Sequence, residues 1–447
     1  SDLAFAALAF ACGLPLAHAQ PAADPWLADL DALEAGLARS YANFEYTLRD
    51  RRIDLPAIDA RTRKALAAAA DDGARRRAIE RLLRDFRDPH LRVEWPAASP
   101  SPAETGVACP PDLAARSTEP GVAFARLPGF APIDDADARL LAAGVLRLPG
   151  VAPVGVIRLA IFLERAYAPW CADAARELGL APDAPCDDAC AARLDAAVVQ
   201  RASAAIARTV RALERAGATR LVVDVTDNCG GTDWSEVLAR QLGGPLASAR
   251  IGMLKHPAWV AFAARTIDDV PPHARPRWRA ARDALAQPCD LSAAWSDRAL
   301  AMGERPLPCT TLVVGPLYAA SPVSARDPLP AYGPWPARAT TLPIEVLVND
   351  ETHSSAEQFA AVLRDNGRAR IVGVPTAGAG CGQFTSAGTG FALPHSGARV
   401  HVPDCVRLRA DGTNERRGLV PDRLVPWAPS DSAYQRAVKA ARALATR

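Results

Sequence analysis

The sequence predicts an α/β fold, because strand-like runs alternate with helical ones along the chain. Ile344–Val348 has the length and composition of a buried strand, and Ser354 to Asp365 then shows helical spacing. Val154–Ile161 is also strand-like, and Ala191–Ala216 is a long amphipathic helix. Leu221–Val225 then repeats the pattern of a buried strand.

The chain opens with a helical region. Trp26–Arg39 and Arg61–Phe86 have helical patterns, and the second ends near Asp88-Pro89-His90, where Pro89 breaks a helix. Leu91–Trp95 alternates like a strand. We therefore expect a small helical N-terminal region in front of the α/β core.

The segment boundaries follow from composition. Residues 1–19 are predicted to be part of a signal peptide, since a short apolar run ends in Ala17-His18-Ala19. We expect a helical region over 20–97, a linker or small β region over 98–150, and the core over 151–447. A Pro- and Arg-rich insertion is predicted at about 265–340.

Composition narrows the class of protein. The 447 residues are 49% hydrophobic and 23% charged, which is ordinary for a globular protein of two or three domains. The net charge is +2 without a strong basic block, so nucleic acid is not expected as the main partner. No stretch is long and apolar enough to predict a membrane span. We expect export to the periplasm or the extracellular space.

Cysteine usage agrees with export. Nine cysteines remain after the predicted leader, and none has the spacing of a zinc site, so disulfides are expected and at least one thiol is free. The plausible local pairs are Cys289 with Cys309, Cys381 with Cys405, and Cys171 with Cys186 or Cys190.

Ser354 stands where a predicted strand gives way to a helix. Free N–H groups and the helix dipole at such a position favour an alkoxide or an oxyanion. The ordinary alternative is a helix cap, because Ser354 and Glu357 have the Ser-x-x-Glu spacing of a capping box.

Four stretches in order carry a family resemblance: DPHLRVEW, LVVDVTDNCGG, VLVNDETHSSAEQFAAVLRDNGRARIVGVPTAG and NERRGLVPD. Together they resemble the serine peptidase family that includes the tail-specific (C-terminal processing) proteases and the tricorn core peptidase. The resemblance implies a Clp protease/crotonase-like core. It also implies a peptide or protein substrate and no metal or organic cofactor. Residues 98–150 are short for the complete PDZ domain that many members carry.

The resemblance assigns roles to the residues. Ser354 matches the nucleophile, with Ser355 as the alternative, and the N–H groups of Ser355 and Gly230 match the oxyanion hole. The tail-specific branch places a lysine about 25 residues after the nucleophile, where this chain has Ala379. The chain is therefore closer to the tricorn-like branch.

That branch uses a histidine before the core and a glutamate after the nucleophile. His90 matches the histidine, which would act as general base and then general acid, and Glu415 matches the acid that orients it. Asp411 is the alternative acid. The ordinary interpretation makes His90 a turn residue and Glu415 a solvated loop charge.

Three further histidines and one cysteine are weaker candidates for a role in the site. His353 is next to Ser354, and neighbouring side chains of an extended chain point in opposite directions, so it is a poor base for Ser354. His395 and His401 are interpreted as structural or substrate-lining. Cys229 is a candidate free thiol near the glycine turn.

The sequence therefore predicts an exported serine peptidase that forms an acyl-enzyme on Ser354 with help from His90 and Glu415. Two alternatives stay open. One is a non-catalytic ligand- or peptide-binding protein on the same scaffold, because a fold does not prove hydrolysis. The other is an esterase that uses the same machinery.

Overall fold

A computed structural model describes residues 24–96, 108–109, 121–247, 249–315, 337–385 and 387–445. The predicted leader at 1–19 lies outside the described residues. The helices are α1 Pro25–Ser40, α2 Phe44–Tyr46, α3 Leu55–Ala67, α4 Asp72–Asp85, α5 Ala136–Leu140, α6 Ala168–Glu177, α7 Asp188–Arg215, α8 Trp234–Gly243, α9 Pro257–Asp269, α10 Arg275–Leu285, α11 Arg298–Ala301, α12 Ser355–Asp365 and α13 Ala433–Ala445.

The strands are short. They are β1 Arg92–Glu94, β2 Phe130–Pro132, β3 Gly144–Leu146, β4 Val154–Arg158, β5 Arg220–Asp224, β6 Arg250–Leu254, β7 Leu312–Gly315, β8 Ile344–Val348, β9 Ala369–Gly373, β10 Phe391–Ala392, β11 Arg399–His401, β12 Cys405–Leu408 and β13 Arg423–Leu424.

A sheet of seven strands forms the centre, in the order β13-β9-β8-β5-β4-β3-β2. The five strands from β13 to β4 are parallel, and β3 and β2 continue the sheet antiparallel. Helices α6, α7, α8 and α12 cover one face with a large apolar core, and α13 covers the other. The predicted α/β fold is confirmed. Parallel strands place their carboxyl ends at one edge, where sites form in such sheets.

The helical N-terminal region is part of this body. Its apolar residues share one core with residues of the insertion, such as Leu291 and Trp295, and with Val400 of β11. Strand β1 pairs antiparallel with β11. A third sheet, β12-β6-β7, joins the insertion to the C-terminal part of the chain.

Three sequence expectations need correction. The helical pattern of Arg61–Phe86 is two helices, α3 and α4, because Asp71 caps a new helix through the N–H of Ala74. Within 98–150, β2 and β3 belong to the main sheet, so residue 150 is no boundary there. The insertion contains a regular helix, α10, which its Pro- and Arg-rich sequence did not indicate; residues 316–336 of it lie outside the described residues.

Four disulfides are present among the described residues. Cys289–Cys309 and Cys381–Cys405 are the pairs expected from spacing. The expected pairing of Cys171 is wrong, because it joins Cys109, 62 residues earlier, while Cys186 pairs with Cys190. Of the described helices, none has the length and apolar character needed to cross a membrane.

Candidate active site

The turns that follow β5 and β8 are bound to one another at the edge of the sheet. Asn349 donates to Asp227 Oδ1 at 2.6 Å and accepts from the Asp227 N–H at 2.9 Å. Thr352 Oγ1 donates to the Val225 carbonyl at 2.9 Å, and the His353 N–H donates to the Asn228 carbonyl at 3.0 Å. These bonds fix the position of the residue that follows, Ser354.

Ser354 has an unusual backbone conformation. Its φ is +52° and its ψ is −117°, in a region that residues other than glycine rarely occupy. It stands at the N-cap of α12 and forms the expected capping box with Glu357. An ordinary N-cap has extended backbone, so the cap alone does not explain this conformation. Strain of this kind is typical of functional positions.

The glycine turn after β5 lies against Ser354. A Cβ on Gly230 would lie 2.8 Å from Ser354 Cβ and 2.9 Å from the Ser355 nitrogen, and Gly230 has a φ of +93°. Only glycine allows this approach. The Gly230 N–H donates to Asn228 Oδ1 at 2.9 Å. The hydroxyl of Ser355, the alternative nucleophile, donates to the Gly231 carbonyl at 2.9 Å, so it is already engaged.

Glu357 organises the loops around Ser354, a role that sequence reasoning missed. Its buried carboxylate accepts four hydrogen bonds: from the N–H groups of Ser354, Gly378 and Ala379 and from the hydroxyl of Thr376. One carboxylate therefore holds both the start of α12 and the loop that begins at Ala377. Its place in the Ser-x-x-Glu pattern was the available signal.

His90 reaches the same loop from the N-terminal region. The backbone of Gly382 packs against its ring, since a Cβ there would lie 2.8 Å from His90 Cδ2. The ring atom Nδ1 lies 3.7 Å from Asp88 Oδ1, and that oxygen accepts the His90 N–H at 3.0 Å. Nδ1 is buried without a hydrogen-bond partner among the described residues.

Asp88 is a second residue that sequence reasoning left without a role. Its other oxygen accepts from the Tyr41 hydroxyl at 2.8 Å and lies 3.4 Å from Arg416 Nε. Burial opposes ionisation, but His90, Arg416 and Tyr41 outweigh it and hold the pKa of Asp88 below its usual value. Its place in the Asp-Pro-His turn was the signal that could have identified it.

Glu415 lies deeper in the protein. Its Oε2 accepts from Arg407 Nε at 2.8 Å, and its Oε1 has no hydrogen-bond partner among the described residues. Burial raises the pKa of Glu415 despite the charge of Arg407. The hydrogen bonds and ion pairs of the described residues do not join Glu415 to His90. The neighbouring Arg416 contacts the loop that carries His90, because it donates to the Arg87 carbonyl at 2.6 Å.

The His90 loop and the Ser354 turn line one cavity of about 530 Å³. Pro89 precedes His90 and His353 precedes Ser354, and both residues are part of the lining. His90 and Ser354 are not themselves in this lining, so the cavity shows that the two loops that carry them are neighbours, although 264 positions separate these residues in the chain.

The remaining candidates have other contacts. His353 Nδ1 lies 2.8 Å from the Glu351 carbonyl, and His401 Nε2 lies 2.8 Å from Glu94 Oε2. His395 packs edge-on against a tryptophan, Trp26. Asp411 caps its own turn through the Thr413 N–H.

Cys229 in the glycine turn is a free, exposed thiol. Within the described part of the chain, no cluster of His, Cys, Asp or Glu has the arrangement of a metal site.

Part of the chain matches a known family model, and the fold matches a solved structure. Residues 297–425 match the family model of peptidase family S41. The structure of mature CPAF has a TM-score of 0.51 at 17% identity, over 93% of this chain and 95% of that one, which shows a shared fold. The α/β core has a serine at the strained start of a helix, facing a glycine turn, which is an arrangement that suits a nucleophile and an oxyanion.

Relatives found by sequence match shorter stretches of the chain. A Chlamydia muridarum (strain MoPn / Nigg) protein is 43% identical over 63 residues, 13% of this chain and 10% of that protein. A carboxyl-terminal-processing protease of Picosynechococcus sp. (strain ATCC 27264 / PCC 7002 / PR-6) is 34% identical over 90 residues, 20% of each chain. The first of these alignments thus spans about a tenth of the relative's length. The chain is thus similar to peptidase family S41 over residues 297–425, which include two of the four motifs.

Proposed function

We propose that this protein hydrolyses peptide bonds through an acyl-enzyme on Ser354. The observation that carries the proposal is the strained backbone of Ser354, held against Gly230 beside the cavity that the His90 loop lines. A cap needs neither the strain nor the glycine contact, whereas a nucleophile needs both a fixed hydroxyl and nearby N–H donors.

In the proposed reaction, Ser354 Oγ attacks the peptide carbonyl carbon while His90 takes the hydroxyl proton. The Ser355 N–H and the Gly230 N–H stabilise the oxyanion, the latter once it turns from Asn228 to the substrate. His90 then gives its proton to the leaving amine, and the acyl-enzyme forms. Water attacks the ester in the second half, with His90 again taking and returning one proton.

Two carboxylates are candidates for the acid that orients His90. Glu415 is the residue that the family resemblance proposes, and Asp88 is the carboxylate that lies 3.7 Å from His90 Nδ1. The lowered pKa of Asp88 keeps it an anion near neutral pH, while burial makes Glu415 easier to protonate. Electrostatics therefore favour Asp88 as the partner of an imidazolium.

Hydrolysis of an unstructured protein such as casein tests the proposal. The purified protein should release peptides, and Ser354→Ala should reduce the rate by at least about a thousandfold while its circular dichroism spectrum stays the same. Equal rates in both proteins would rule out Ser354 as the nucleophile.

A non-catalytic binding protein is the second candidate. The capping box at Ser354 and the bond from the Gly230 N–H to Asn228 favour it, since both satisfy groups that catalysis needs free. A folded protein that binds peptides and cleaves none would support this alternative.

We also propose that the protein is exported. Four disulfides support this, because such bonds persist in oxidising compartments. Recovery of the protein in the cytosolic fraction, with its cysteines reduced, would contradict it.

A further inference from the structure

The cavity beside the proposed site has one wall from the end of α4 and the turn that follows it. Arg84, Arg87 and Arg92 all line it, together with His353 from the Ser354 turn. A substrate bound at Ser354 therefore has a neighbouring space that three arginines border.

Two of these arginines have no counter-ion among the described residues. Arg84 lies 3.8 Å from a carboxylate oxygen of Glu80. Arg87 and Arg92 are exposed, and neither side chain has an ion pair or a hydrogen bond within the ranges that the structure describes. Isolated exposed arginines are common on surfaces, but two unpaired ones in one cavity leave a local excess of positive charge.

The acidic residues of the cavity do not cancel this excess. Glu80 accepts from Trp95 Nε1 at 2.8 Å and faces Arg84. Asp88 is buried and already faces Arg416 and His90. Both carboxylates are therefore engaged within the protein, and an incoming carboxylate would meet the free guanidinium groups.

The cavity also borders an open strand edge. Strand β1 pairs with β11 on one side and ends its sheet on the other, as far as the described residues show. Arg92 and Val93 of β1 are part of the cavity lining. A free edge accepts an extended peptide through backbone hydrogen bonds, with side chains reaching adjacent pockets.

We infer that Arg87 and Arg92 form a subsite for a carboxylate of an extended peptide bound beside Ser354. The inference rests on the proposed function, since it names the substrate class of the same site. A guanidinium binds a carboxylate with two parallel hydrogen bonds, which gives selectivity as well as affinity. The carboxylate is either an acidic side chain or the C-terminus of the substrate.

Binding to the Ser354→Ala variant tests this without requiring catalysis. The probes are alanine-rich octapeptides with an N-terminal fluorescein, carrying a central Glu or Gln and ending in a free or an amidated carboxyl group. Fluorescence anisotropy gives each Kd at low and at high salt. Arg87→Gln with Arg92→Gln removes the subsite, and Arg81→Gln is the matched control, because Arg81 is an exposed arginine of α4 outside the cavity lining.

We expect the peptide that carries the recognised carboxylate to bind about tenfold more tightly than the peptide in which an amide replaces that carboxylate. The Glu/Gln pair and the acid/amide pair show which carboxylate is recognised. The preference should vanish in the double variant, persist in Arg81→Gln and weaken with salt. Equal Kd values for all four peptides, or a preference that survives in the double variant, would overturn the inference.

The two proposals fail in different experiments. If the proposed function is wrong and the subsite is right, casein is not cleaved, whereas the carboxylate preference is still measured in the Ser354→Ala background.

Discussion

Asp88 and Glu415, the two candidate acids for His90, differ in what surrounds each carboxylate. Asp88 lies within ion-pair distance of His90 Nδ1, whereas Glu415 is held by Arg407. Sequence spacing aligned Glu415 with the family acid but contained no information on distance. The conformation of Ser354 was equally beyond prediction, because a positive φ there depends on the bonds between two distant turns.

Asp88→Asn should lower kcat/KM by about a hundredfold or more, because the imidazolium loses a negative charge 3.7 Å away. Glu415→Gln should lower kcat/KM less than tenfold. Kinetics from pH 5 to 9 measure both.

Tyr41→Phe is the control, since it removes a hydrogen bond to Asp88 and leaves the charge in place. A larger loss in Glu415→Gln than in Asp88→Asn would assign the acid to Glu415.

Among the secondary-structure elements, strong periodicity gave reliable predictions. The sequence predicted β8 as Ile344–Val348 with the bounds observed, and α12 within one residue. The break between α3 and α4 was missed because alanines continue the helical pattern up to Asp71. The Cys109–Cys171 disulfide was missed because its partners are distant in sequence and meet only through tertiary packing.

The contact between the two strand-end turns gives a prediction about Gly230. Gly230→Ala should lower the rate of hydrolysis by about a hundredfold, because the new Cβ would force Ser354 and the Ser355 N–H away from the turn. Initial rates on casein, beside the unfolding temperature, measure the effect.

Gly217→Ala is the matched control. Gly217 has the same φ of +93°, and nothing lies within 4 Å of an added Cβ. Both variants then carry the same backbone strain, of order 1 kcal/mol, and only Gly230→Ala disturbs the site. Equal activity in the two variants would show that the Gly230 contact is not required.

Across the whole molecule, the site depends on the docking of the N-terminal helical region onto the core. His90 belongs to the first and Ser354 to the second. The two regions share the apolar core that also includes the insertion, and Arg416 and Asp88 join them near the site. The motifs predicted the candidate site residues, whereas the packing of the two regions depends on apolar residues from separate parts of the described chain.

A buried carboxylate makes the stability of this region depend on pH. Burial first, and then the hydrogen bond and charge of Asp59, raise the pKa of Glu34 to about 9. Between the unfolded value of 4.5 and that value, the folded state keeps a proton that the unfolded state releases. The free energy of unfolding therefore falls as pH rises through this window, by at most about 1.4 kcal/mol per pH unit.

Glu34→Gln should flatten this dependence, because the amide is neutral at every pH. We expect the variant to be more stable than the wild type at pH 8 and close to it at pH 5, as measured by urea unfolding. Glu304→Gln is the control, since Glu304 is exposed. A parallel pH dependence in wild type and Glu34→Gln would contradict the protonated state of Glu34.

The most direct test of the central claim is labelling with a fluorophosphonate, which reacts with activated serines. The wild type should take up one label per chain, Ser354→Ala none, and Ser355→Ala the same amount as the wild type. His90→Ala should label far more slowly, because its serine lacks a base. Full labelling of Ser354→Ala, or no labelling of a folded wild type, would contradict a Ser354 nucleophile.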